Sequence, residues 1–168
     1  LIDLSVSKWD KLLNVNTRAT LLLAQAAYPA LKESKGALVA VASMSGMGAH
    51  PGMGAYSPSK AALISLCQVL AQEWACDGIN VNTVSPGMIR TPLTQKVYEN
   101  NQIAKERAAL VPWGRVGNPE DISNVISFLL SPEANYITGQ NILVDGGFVD
   151  SLYRHIPGLP DSSEIDKT

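Results

Sequence analysis

Tyr56 and Lys60 stand four residues apart at the start of a long apolar helical pattern, and Ser43 lies thirteen residues before the tyrosine, at the end of an apolar run. Together these residue types can do acid–base chemistry on an oxygen. An unperturbed tyrosine titrates near pH 10, so a phenol trading protons at neutral pH needs about 3 units, or about 4 kcal/mol, of preference for its phenolate. One ammonium about 4 Å away, at an effective dielectric near 20, supplies about that much. Residues i and i+4 share a helix face, so a Tyr-x-x-x-Lys pair can put the cation beside the phenol. A serine hydroxyl reaching the same point can hold a carbonyl oxygen while the tyrosine protonates it.

The spacing alone is not diagnostic. Tyr28 and Lys32 repeat it, but the residue thirteen positions before Tyr28 is Val15, which has no hydroxyl, and Pro29 follows the tyrosine. A solvated helix face is the ordinary reading of such a pair. Ser43, Tyr56 and Lys60 differ because a strand pattern, a Gly-rich loop and a helix pattern arrive in that order.

Several elements must position these residues. Ser7 and Asp10 read as a cap-like start for a helix running to about residue 32. Residues 37–42 are a continuous apolar run, as expected of a strand buried on both faces. A loop with four glycines and a proline covers 43–54. A second long helix is expected over 56–77, with Pro58 tolerated in its first turn and Gly78 ending it. Residues 79–84 form the next strand, broken by Pro86 and Gly87. Residues 90–113 are polar and mixed, and 92–113 read as either a substrate lid or a surface helix pair. Asn118, Pro119, Glu120 and Asp121 supply an N-cap, a proline at the first helical position and an acidic first turn for a helix to about residue 130. A short strand follows at 142–144, closed by Asp145, Gly146 and Gly147. Strands alternating with helices imply an α/β fold with a parallel sheet and right-handed crossovers. The expected organisation is one domain over 1–150 and a polar tail over 151–168.

The bulk composition narrows the function. The 168 residues are 46% hydrophobic and 17% charged, which suits a globular domain. A net charge of −2 offers no basic footprint for nucleic acid. The longest uncharged apolar stretch, 19–31, is too short to span a bilayer and contains Pro29. Cys67 and Cys76 lie along one helix about 13 Å apart, beyond disulfide reach, and read as reduced, in keeping with a cytoplasmic protein. His50 and His155 are far apart and no Cys-x-x-Cys occurs, so no metal is expected.

A set of motifs spread over residues 7–148 resembles the short-chain dehydrogenase/reductase family. They are W-D-K-L-L-N-V-N at 9–16, Ser43, Y-S-P-S-K at 56–60, I-N-V-N at 79–82, S-P-G at 85–87, Thr91-Pro92, G-R-V-G at 114–117, I-T-G-Q at 137–140 and D-G-G at 145–147. The nearest type is the 3-oxoacyl-carrier-protein reductases and sugar-alcohol dehydrogenases. The resemblance implies a Rossmann-type doubly wound sheet, of which this is the C-terminal part with three strands. It implies hydride transfer between NAD or NADP and a secondary alcohol or ketone. Tyr56 would be the general acid or base, Ser43 the carbonyl-oxygen ligand and Lys60 both pKa-lowering cation and ribose ligand, with Asn16 completing a tetrad that anchors a relay water. An alternative for Asn16 is a polar residue bonded within its helix. Pro86, Gly87, Ile89 and Thr91 would meet the cofactor, Ile89 at the carboxamide and Thr91 at the phosphates; a plain Pro-Gly turn is the alternative. A homodimer or homotetramer packed through the two long helices is also implied.

The family's opening strand, its T-G-x-x-x-G-x-G turn and its Asn-Asn-Ala-Gly element do not occur in these 168 residues. The chain is therefore expected to be a piece of a longer one, inactive alone, and a non-catalytic cofactor-binding or interaction fragment is the alternative function. The strand at 37–42 would lose a neighbour and expose an apolar edge. The loop from Gly46 to Gly54 begins like a dinucleotide fingerprint, but Pro51 takes the third glycine position, leaving a pocket wall or a tight connection. His50 reads as a solvated loop histidine, and Asp145-Gly146-Gly147 as a turn at a subunit contact.

Overall fold

Residues 1–158 are described by a computed structural model. The centre is a parallel sheet in the order β1 (Ala37–Val41), β2 (Asn80–Pro86), β3 (Asn141–Val144). The register sets Ala40 beside Thr83 and Thr83 beside Asn141. Side chains alternate across a strand, so each strand feeds two cores. Ala40, Ala42 and Val81 point to one face, where α2 (Ala19–Ser34) and α3 (Tyr56–Trp74) cover them with Ala24, Leu63, Cys67, Leu70 and Trp74. Val39, Val84, Ile142 and Val144 point to the other, packed by Ile122, Val125 and Leu129 of α6 (Pro119–Leu129). Helices on both faces explain why β1 reads as an unbroken apolar run.

The polar residues in these strands are spent on the chain itself. Asn82 is fully buried, donates to the Ile137 carbonyl at 2.7 Å and accepts from Gln140 N–H at 2.9 Å. Thr83 and Ser85 both donate to Oδ1 of Asn141, at 2.8 and 2.6 Å. A buried polar atom left unpaired costs about 1–3 kcal/mol, so these bonds are what make the I-N-V-N strand tolerable in a core.

Several boundaries differ from the sequence reading. The first helix, α1 (Val6–Leu13), is capped by Ser5, whose Oγ accepts from Lys8 N–H at 3.4 Å; Ser7 already lies inside it. The helix does not run evenly to residue 32. Asn14–Arg18 forms a wider π-helical segment, with Ala19 N–H bonded to the Asn14 carbonyl five residues back. Such a widening turns the side chains around it off the regular face, and it is frequent at functional sites. β2 extends to Pro86, and the 90–113 segment folds as two short helices, α4 (Gln95–Tyr98) and α5 (Asn101–Leu110). The α6 start is as expected: Asp121 accepts from Asn118 N–H at 2.7 Å. Arg115 grips the same carboxylate bidentately at 2.7 and 2.8 Å and holds its pKa below the usual range. Of the polar tail, residues 159–168 lie outside the described part.

The second Tyr-x-x-x-Lys pair is not a free solvated face. Tyr28 donates to Asp77 Oδ2 at 2.5 Å, Lys32 Nζ lies 2.7 Å from Oδ1, and the Tyr28 ring packs 4.9 Å from that of Trp74. The bond to the carboxylate pushes the Tyr28 phenol up, the opposite of what an acid catalyst needs. The trio ties the end of α2 to the end of α3.

Cys67 and Cys76 are both free. Cys67 is 1% exposed, and burial pushes its thiol up to about 11. Among the described residues no helix is long and apolar enough to cross a membrane, and no group of three or more His, Cys, Asp or Glu side chains could hold a metal ion.

Among the described residues β1 has a neighbour on one side only, and Val41 is 45% exposed. An apolar strand with a bare row of N–H and C=O groups is a template for further pairing. The 168 residues expressed alone are expected to self-associate as concentration rises, read by light scattering behind a sizing column. A monomer with one cooperative melting transition would sink this expectation.

Candidate active site

The carboxyl ends of β1 and β2 form one rim of the sheet. Ser43 stands two residues past the end of β1 and is 8% exposed. Its Oγ accepts from Ser45 N–H at 3.1 Å, at the start of a tight turn over Met44–Gly46. Among the described residues it donates to no protein group. Tyr56 is the first residue of α3, and its hydroxyl has no hydrogen-bond partner among the described residues. Lys60, one turn later, is half-buried. Its ammonium donates to the Val41 carbonyl at 2.8 Å and lies 5.9 Å from the centroid of the Tyr56 ring. Lys60 thus bridges α3 and the end of β1, the point from which Ser43 departs. Helical spacing alone would put the cation against the phenol; instead part of its hydrogen bonding is spent on the strand. Burial pulls the Lys60 pKa down.

Gly46 makes this approach possible. A Cβ there would stand 2.9 Å from the Lys60 carbonyl carbon and 3.0 Å from Ala61 N. The turn after Ser43 therefore lies flush on the backbone of α3 at Lys60, a closeness only glycine permits.

Asn16 reaches the site through an intermediary. It lies in the widened segment, and its side-chain amide donates to Ser59 Oγ at 2.9 Å, which in turn donates to the Tyr56 carbonyl at 2.7 Å. Thr17 Oγ1 donates to the Ser59 carbonyl at 2.9 Å. Asn16 is bonded across to another helix, unlike the alternative of a residue satisfied within its own. Ser59, 0% exposed, was invisible to sequence reasoning, because its partner lies 43 residues away. Asn16, Val41 and Lys60 share a groove of about 330 Å³ along the open side of β1.

The second group lies on the neighbouring strand end. Gly87 N–H donates to the Val144 carbonyl at 2.9 Å, and Ile89 is bridged in parallel to Gly117. That bridge uses the groups of Met88 and Arg90, leaving Ile89 N–H with no acceptor among the described residues, while its carbonyl accepts from Thr94 Oγ1 at 2.9 Å. Thr91 is partly committed: its N–H donates to Thr94 Oγ1 at 2.9 Å, and the two hydroxyls are 3.2 Å apart. Met88, Ile89, Trp113 and Asp145 line a separate cavity of about 200 Å³, which does not reach Ser43, Tyr56 or Lys60. Tyr98 of α4, 4% exposed, pins the adjoining segment, with the guanidinium carbons of Arg90 and Arg107 at 5.4 and 5.6 Å from its ring centroid.

His50 is exposed but not merely solvated: its Nδ1 lies 2.9 Å from the Oγ of buried Ser45. Asp145 closes its own turn, accepting from Gly147 N–H at 2.8 Å and Val149 N–H at 2.7 Å.

Residues 1–149 match the family described as enoyl-(acyl carrier protein) reductase. A (3R)-3-hydroxyacyl-CoA dehydrogenase of Mus musculus is 39% identical over 149 residues, which is 88% of this chain and 57% of that protein. A 3-oxoacyl-[acyl-carrier-protein] reductase of Thermotoga maritima is 40% identical over 151 residues, 89% of this chain and 60% of its own length. Among solved structures, a 4-hydroxyisoleucine dehydrogenase complexed with NADH superposes with a TM-score of 0.83 at 36% identity, covering 89% of this chain and 62% of that one. The chain spans about three fifths of the length of these relatives. Its parallel sheet with helices on both faces is of the Rossmann type found in such dehydrogenases. Matched over nearly its whole length by sequence and by shape, the chain belongs to the short-chain dehydrogenase/reductase family.

Proposed function

We propose that the protein carrying this chain transfers a hydride between NAD or NADP and a secondary alcohol or ketone of small size. One observation carries the reading: the Lys60 ammonium is fixed 5.9 Å from the Tyr56 ring and 2.8 Å from the carbonyl of Val41, the residue two before Ser43. Ammonium, phenol and hydroxyl then serve one ligand oxygen.

In the reducing direction Ser43 donates a hydrogen bond to the substrate carbonyl, polarising it, and Tyr56 gives the proton that completes the alcohol. In oxidation Tyr56 takes that proton back. Lys60 offsets the charge developing on the phenolic oxygen as the proton leaves. Asn16 holds the start of α3 in place through Ser59 and supports the relay. A nicotinamide, when bound, would supply or accept the hydride. The residues present fit its nicotinamide end: Ile89 N–H, without an acceptor among the described residues, can meet the carboxamide, and an ammonium has three donors, of which Val41 takes one, leaving others for the ribose hydroxyls. Thr91 would meet the phosphates, and Pro86 and Gly87 shape the rim.

We place residues 1–150 in one domain, with 151–168 as a tail. Leu22, Leu23 and Val69, each more than half exposed on α2 and α3, suit a homodimer or homotetramer contact through those helices. Two free cysteines suit a cytoplasmic protein. A second reading, a binding or interaction fragment without turnover, is favoured by the chain spanning 57–60% of its curated relatives. The 168 residues alone are expected to be inactive.

The test is the near-ultraviolet absorbance of the reduced nicotinamide, followed with the full-length protein, either dinucleotide and a panel of secondary alcohols and ketones. Turnover supports the first reading. Dinucleotide binding without turnover, or no binding, replaces it with the second.

A further inference from the structure

Between Ser43 and Tyr56 the chain makes one contact that the chemistry above leaves unused. Ser45 is 5% exposed, and its Oγ lies 2.9 Å from His50 Nδ1. The N–H of the same serine donates to Ser43 Oγ at 3.1 Å. A hydroxyl has one proton to give and two lone pairs to offer. With the Ser45 amide on a Ser43 lone pair, the Ser43 proton is directed to an acceptor outside the chain. The orientation of Ser43 is therefore set by the turn that holds Ser45.

That turn is fixed from two sides. Gly46 lies flush against the backbone of Lys60 and Ala61. On the other side only the bond to His50 fixes the Ser45 hydroxyl among the described residues. The bond also anchors the loop from Met47 to Gly54, whose Met47 and Met53 side chains are 51% and 43% exposed. A buried hydroxyl that loses this partner has little access to water as a substitute, so the turn would relax to satisfy it.

We propose that His50 is a positioning residue: through Ser45 it locks the turn that presets Ser43 as a hydrogen-bond donor. The proposal rests on the role of Ser43 in the reading above. The contact persists in either charge state of the imidazole, because a hydroxyl donates to a bare ring nitrogen and accepts from a protonated one.

The experiment compares His50→Ala, His50→Asn, Ser45→Ala and the Ser45→Ala/His50→Ala double variant in the full-length protein. One buried hydrogen bond is worth up to about tenfold. Each alanine variant is expected to lower kcat by about that factor, with KM for the dinucleotide within about twofold of the parent. The double variant should be no slower than either single one, the mark of two groups acting as a unit. His50→Asn should recover most of the rate, since its amide stands where Nδ1 stood. Independently of turnover, hydrogen exchange at the Ser45 amide should quicken in His50→Ala and not in His50→Asn.

Multiplying effects in the double variant, equal losses for His50→Ala and His50→Asn, or unchanged Ser45 exchange would overturn the positioning role. An inactive Ser43→Ala beside a fully active His50→Ala refutes that role alone. A fully active Ser43→Ala refutes the catalytic reading of Ser43, and the positioning role with it.

Discussion

Tyr56→Phe in the full-length protein is expected to lower kcat by about 10²- to 10⁴-fold, the usual worth of a placed proton donor. The dinucleotide dissociation constant should stay within about twofold. Phenylalanine keeps the ring that lies 5.9 Å from the Lys60 ammonium, and it removes only a hydroxyl that makes no bond to the protein among the described residues. Folding should therefore be spared and the chemistry lost. Titration of the reduced dinucleotide by fluorescence, beside steady-state rates, separates the two. Retained turnover would remove Tyr56 from the reaction. A parallel loss of dinucleotide binding would mean that the ring shapes the cofactor site instead of handling a proton.

A second large effect is expected far from any proton. Gly87→Ala would put a Cβ 2.5 Å from Asp145 Cβ and 2.7 Å from Asp145 Cα. Neither side can give way freely. Gly87 N–H is held by the Val144 carbonyl at 2.9 Å, so moving it opens the β2–β3 pairing. Asp145 is fixed by its bonds to Gly147 and Val149. Overpacking of this kind costs about 3 kcal/mol, which lowers the melting midpoint by roughly 6–12 °C in a domain of this size. Gly48→Ala is the control, since nothing lies within 4 Å of its Cβ position, and a change of at most about 0.5 kcal/mol is expected there. Equal midpoints for the two variants would show that the rim between β2 and β3 yields more easily than its hydrogen bonds suggest. Because Gly87 adjoins the proposed cofactor rim, weakened dinucleotide binding should accompany the loss of stability.

Much of this molecule was legible before its coordinates. The first strand announced itself because burial on both faces leaves no polar alternation in it, and 37–42 and 79–84 fell within a residue or two of β1 and β2. The α6 start was legible because capping is local: Asn118, Pro119 and Asp121 lie within one turn of one another. The family resemblance drew on motifs that each sit within a few residues. Misreadings came where local pattern was silent. Ser7 and Asp10 suited a cap, yet Ser5 took the role once Ser7 had entered the helix. Nothing in the apolar spacing signalled the wide turn at Asn14–Arg18. The loop histidine gave no sign of its bond to Ser45, although only five residues separate them, because a Gly-rich segment can fold back in many ways.

The amino-acid order by itself determined the alternation of strand and helix, the parallel sheet and the residue types able to trade a proton, since periodicity and capping act over one or two turns. Only the tertiary structure decided which hydroxyls, amides and carboxylates meet. Asn16 reaches Ser59, Asn141 serves both Thr83 and Ser85, and Asp77 collects Tyr28 and Lys32. Those pairings span 43 to 58 residues of chain, and the crossovers that place helices on both faces of the sheet close them. Two tyrosine–lysine pairs with identical spacing thus part ways: a carboxylate brought from a distant turn commits one to holding two helices together, while the other faces a strand end with its phenol unengaged among the described residues.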